Sequence, residues 1–138
     1  MDHPVVAEAV RVELVPFLAE QGFQEGSSDQ HSARFASADT EVSVFWDPRG
    51  EIAVLAQRRD EASPHGRWQY GEVTTATSVP GHLRRVVRLF AEQPAILAGD
   101  APFYDDLRRR NEQRSRELTA YYSRNGPRPE WMGNNSGQ

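Results

Sequence analysis

Apolar residues at Val6, Val10, Leu14, Phe17 and Leu18 recur at helical spacing and predict an amphipathic helix over residues 4–21. Asp2 or His3 precedes it, Pro4 suits its first turn, and Gly22 followed by Phe23 suits a left-handed stop with an apolar contact after it. Pro16 is discordant: it removes a backbone donor and predicts a kink near Val12. After Gly22 the period falls to two. Residues 23–26 (FQEG) read as a short strand, 31–37 (HSARFAS) as a second, 41–59 as a hairpin of two more, and 67–73 (RWQYGEV) as a fifth. Short connections favour sequential antiparallel pairing, hence a four- to five-stranded meander. The long connection 58–66 (RRDEASPHG) is expected to be the most mobile.

Helical spacing returns after residue 78. Ser78 is placed to cap, Pro80 sits in the first turn, and Leu83, Val86, Val87 and Phe90 make an apolar stripe that Pro94 ends. Residues 94–99 read as a connector, and Asp100 as the cap of a long helix over about 101–123. Phe103 and Leu107 begin that helix and Leu118, Tyr121 and Tyr122 end it. The stretch RRRNEQRSRE between them is polar all round, so its middle should bridge over solvent or pack on a partner. From Asn125 onward the composition reads as disordered. The expectation is an α+β fold: an N-terminal helix, a four- to five-stranded antiparallel meander and two C-terminal helices. These form a single domain over 1–124, followed by a tail over 125–138.

The hairpin EVSVFWDPRGEIAVLAQRR is apolar on both faces. Asp47-Pro48-Arg49-Gly50 fits a type I turn with Gly50 in a G1 bulge and Asp47 holding the turn through its side chain. That register pairs Trp46 with Ile52, Val44 with Val54 and Val42 with Ala56 on one face, and Phe45 with Ala53 and Ser43 with Leu55 on the other. The first face is larger and continuous, so it is assigned to the core. Trp46 alone removes ~150–250 Å² from water, an upper bound of ~4–6 kcal/mol at about 25 cal/mol per Å². Over the second face, either the long C-terminal helix or a loop lies as a cover, or the face serves self-association or a partner.

A chain of 138 residues buries about two thirds of its unfolded surface, enough for one self-sufficient core. Its cations are all Arg, and the sign of charge is uneven. Residues 1–83 carry 6 Arg against 13 acids (−7) and residues 84–138 carry 10 against 7 (+3), for a net −4. The front half suits a basic partner. The absence of Cys removes disulfides, thiol catalysis and thiolate metal sites. Neither a basic-then-apolar leader nor a long apolar run occurs, and a cytoplasmic protein without membrane contact is expected.

The chemistry is sparse. His3, His31, His65 and His82 show no paired ligand spacing, so no metal is expected and no cofactor either. Asp105-Asp106 reads as first-turn acids complementing the helix dipole. No G-x-S-x-G elbow or glycine-rich phosphate loop is present, and no catalytic residue is assigned. The basic run Arg108-Arg109-Arg110 is interleaved with Asp105, Asp106, Glu112 and Glu117. Expected pairs are Asp105 with Arg109, Asp106 with Arg110 and Glu112 with Arg116, which argues against nucleic acid.

A helix ending in FLAEQGF, short strands containing ARFASADTEVSVFWDPRGEIAV, a W-x-x-G stretch and closing helices resemble the small acidic α+β proteins of bacterial genomes. Some of these are immunity proteins that block a cognate toxin. The likeness covers about residues 10–92 and leaves out RRRNEQRSRE. It implies a non-enzymatic protein-binding module, immunity-type or chaperone-like, facing a basic toxin or effector. Glu41, Phe45, Asp47, Glu51, Leu55, Asp60 and Glu61 are the candidate contact residues, with acids steering around an apolar anchor. A homodimer is compatible with the same face. The rival expectation is a small-molecule-binding domain or small enzyme with a pocket near His65, Arg67, Trp68 and Tyr70.

Overall fold

A computed structural model describes residues 3–47, 51–73, 78–123 and 128–132. The N-terminal helix comes in three pieces: α1 (His3–Ala9), a π-helical turn (Val10–Leu14) and α2 (Val15–Glu20). The cause is Pro16, which has no N–H and whose ring crowds the carbonyl one turn back. The chain widens instead, and the Val15 N–H reaches back five residues to the Val10 carbonyl. The kink expected near Val12 therefore takes the form of a π turn. Val6, Val10, Leu14 and Leu18 still share one buried stripe, while Val12 is turned out to solvent. Gly22 stops the helix at φ +88°, where the Phe23 N–H bonds the Leu18 carbonyl at 2.9 Å and the Phe23 ring is buried.

Five strands follow in sequential order, each antiparallel to the last: β1 (Gln24–Ser28), β2 (Ser32–Ala36), β3 (Thr40–Trp46), β4 (Glu51–Arg58) and β5 (Arg67–Val73). The β1–β2 turn is held by Asp29, whose Oδ1 accepts from the His31 N–H at 2.7 Å; that bond keeps its carboxyl below the usual range. At the hairpin, Asp47 Oδ1 accepts from the Glu51 N–H at 3.1 Å, and the Asp47 N–H donates to the Glu51 carbonyl at 3.0 Å. The residues between them, and so the turn type and the bulge at Gly50, lie outside the described residues. The register is the expected one, with Trp46 opposite Ile52, Val44 opposite Val54 and Val42 opposite Ala56. All six are buried.

Over this face lie the N-terminal helix and α3 (Val79–Glu92), bringing Leu14, Leu18, Leu83, Val86 and Phe90 onto the strands in one core. Ser78 opens α3 through its carbonyl, which accepts from the His82 N–H at 3.0 Å, rather than through a hydroxyl cap. Residues 94–99 are more than a connector. Ala95–Ala98 form a helical turn, α4, so among the described residues three α-helices follow the sheet instead of two. Ile96 and Leu97 are buried there, and Gly99 at φ +66° redirects the chain into α5 (Ala101–Tyr122). Asp100 caps α5 as expected, its Oδ2 accepting from the Phe103 N–H at 3.0 Å. Tyr104 fastens α5 to α4 by donating its hydroxyl to the Ile96 carbonyl, and burial pushes its phenol pKa up.

The connection 58–66, expected to be mobile, is pinned instead. Glu61, with its side chain only 11% exposed, accepts from Arg108 at 3.1 Å and from the Ser63 N–H at 2.9 Å. The Asn111 amide donates to the His65 carbonyl at 2.8 Å. The polar middle of α5 therefore packs on this loop through hydrogen bonds. Its ion pairs are partly re-dealt. Asp106 with Arg110 occurs at 2.9 Å, but Asp105 meets Arg108 in place of Arg109, and Arg116 bonds Gln113. Residues 128–132, within the stretch read as disordered, fold back on α5. There Trp131 Nε1 donates to Glu117 Oε2 at 2.6 Å, and the Arg114 guanidinium lies 5.6 Å from the Trp131 ring centre.

Candidate binding face

Alternation along the strands puts a second set of residues on the face of the sheet away from the helices. Cross-strand partners arrange it in rows. Ser32, Phe45, Ala53 and Gly71 form one; Arg34, Ser43, Leu55 and Gln69 the next; Ala36, Glu41, Gln57 and Arg67 the third. The first row is small on both sides of Phe45, so its ring is not shielded by its neighbours and remains 36% exposed. Leu55 and Ala53 are half-buried, and Ser43 is buried between the flanking side chains. Phe45, Ser43 and Leu55 border a depression of about 340 Å³ rimmed by Arg34, Glu41, Gln57 and Arg67. Arg67 is held on this rim by its Nε bond to Gln57 Oε1 at 3.1 Å.

The cover expected from the long helix is not there: α5 packs on the Pro64–Gly66 turn and on β5, beside the sheet. Of the proposed contact residues, the structure brings Glu41, Phe45, Glu51 and Leu55 onto the outer face. It does not bring the remaining acids there. Asp47 is engaged in the hairpin turn, Asp60 pairs with Arg58 at 3.1 Å, and Glu61 is committed to Arg108. The face is consequently mixed in charge, with Arg34 and Arg67 among the acids. Arg34 was legible in principle, since the short β2–β3 connection places it opposite Ser43.

The residues proposed for a small-molecule pocket divide. His65, Arg67 and Trp68 border a groove of about 400 Å³ between β5 and α5, completed by Pro64, Gln69, Leu107, Asn111 and Arg114. Tyr70 is elsewhere, against His82 beneath α3, with ring centres 5.1 Å apart. Sequence reasoning missed Leu107, Asn111 and Arg114, which reach β5 only through the docking of α5. Among the described residues, no group of three or more His, Asp or Glu is placed to hold a metal ion, and no helix is long and apolar enough to cross a membrane. The chain matches no protein-family model, no curated protein and no solved structure.

Proposed function

We propose that the chain is a non-enzymatic protein-binding module that presents the outer face of its sheet. The observation that carries this reading is Phe45, an aromatic side chain 36% exposed one residue from the end of β3, with Leu55 beside it and charged residues around both. Aromatic anchors within a polar rim are the usual energetic centres of protein interfaces. The face itself balances Glu41 and Glu51 against Arg34 and Arg67. The excess of acids in residues 1–83, 13 against 6 Arg, therefore supports long-range steering of a basic partner, and an immunity-type protein neutralising a toxin is its most concrete form. Glu41 and Glu51 are the steering acids in this reading.

The test is protection from toxicity. The product of the gene immediately upstream is expressed in a bacterial host with and without this chain. Growth arrest relieved by the chain, and not by a folded variant carrying Phe45→Asp and Leu55→Asp, supports the proposal. Protection that survives both substitutions, or a neighbour product that neither harms growth nor binds the purified chain, sinks it.

A further inference from the structure

We infer that the groove between β5 and α5, which shares Arg67 and Gln69 with the edge of the outer face, is a binding site for a small organic phosphate of the mononucleotide class. Its charge distinguishes it. Among the described residues the lining includes Arg67, Arg114 and His65 and no carboxylate, in a chain whose net charge is −4. Earlier on α5 the cations are neutralised: Arg108, Arg109 and Arg110 each have a carboxylate oxygen within 3.5 Å, whereas Arg116 bonds the Gln113 amide oxygen. Arg114, one turn further, has none that close among the described residues. Its guanidinium lies over the Trp131 ring, and the carboxyl of the nearby Glu117 is held below its usual range by hydrogen bonds from Gln113 and Trp131 and, less strongly, by the Arg114 charge.

The site is held in shape before any ligand arrives. Ser63 Oγ accepts from the His65 N–H at 3.1 Å, and Asn111 fixes the His65 carbonyl from the other wall at 2.8 Å. Gln57 takes only the Nε of Arg67, at 3.1 Å, which leaves its two terminal nitrogens for an anion. Two guanidiniums suit the paired oxygens of a phosphate better than a single carboxylate, because each forms two parallel hydrogen bonds. Trp68 and Leu107 are the apolar part of a mostly polar lining, an edge for a flat ring to lie against; Trp68 is braced by Phe90 at 5.2 Å between ring centres. A volume of about 400 Å³ is in the range of small-molecule sites.

The experiment is a titration of the whole chain, labelled for amide NMR, with AMP, adenosine and inorganic phosphate in parallel. Saturable AMP shifts at Arg67, Gln69 and Asn111 are expected, with phosphate weaker and adenosine inert. Arg67→Gln, and separately Arg114→Gln, should each weaken AMP about tenfold, the loss of one charged bidentate contact. Arg67→Gln leaves the Trp131 contact alone, so a fold defect at the C-terminus cannot account for its effect. Absence of shifts up to ~10 mM AMP would overturn the proposal. Equal shifts with adenosine, or unchanged affinity in both variants, would do the same.

Discussion

At the scale of single residues, two glycines with the same left-handed backbone have different reasons to be glycine. Gly22 at φ +88° has open space where a side chain would go, with nothing within 4 Å of the Cβ position. Gly99 at φ +66° would bring a Cβ to 2.8 Å from Thr40 Oγ1, within a side chain that is wholly buried. Gly22→Ala should therefore cost only the intrinsic penalty of the conformation, about 1–2 kcal/mol. Gly99→Ala adds overpacking to that penalty, for a total of about 2–4 kcal/mol. Urea unfolding of both variants measures the difference; equal losses would mean that the Gly99 turn moves away from β3 at no cost.

At the scale of elements, the loop from Arg58 to β5 is held less by apolar burial than by its polar contacts to α5, with Glu61–Arg108 and Asn111–His65 as the two clasps. Arg108→Met leaves the Glu61 carboxylate, 11% exposed, without its cation. A loss of roughly 1–2 kcal/mol is expected, because Arg108 itself is 37% exposed and part of the pair is screened by solvent. Trypsin cleavage after Arg58 or Arg59 should accelerate more than global unfolding does, and an unchanged cleavage rate would show that the loop is held by other contacts. The clasps also show where sequence reading stopped. The β3–β4 register was legible, because strand alternation and a short turn at Asp47 act over neighbouring residues. The docking of α5 was not, since Glu61 and Arg108, or His65 and Asn111, look like ordinary solvated polar residues until the fold brings them together. The α4 turn escaped for another reason: four residues, Ala95–Ala98, carry too little period to be told from a connector.

At the scale of the whole molecule, the sheet has two faces that the same strand must serve, and β3 places its two large aromatics back to back. Trp46, 5% exposed, points into the core opposite Ile52, while Phe45, 36% exposed, points out over Ala53. If the outer face is reserved for a partner, the free protein should depend on the first ring and hardly on the second. Trp46→Ala empties a volume that the core elements cannot close, and a loss of about 3–5 kcal/mol is expected. Phe45→Ala removes a ring that already meets water and packs beside residues as small as Ala53, so its cost should stay below about 1 kcal/mol. Thermal and urea unfolding of the two variants, side by side, read this contrast directly. A loss at Phe45 as large as that at Trp46 would mean that the outer face is covered in the free protein and belongs to folding. A small loss at Phe45, with the core substitution severe, leaves that ring without a structural role in the monomer, which is the condition the binding-module reading requires.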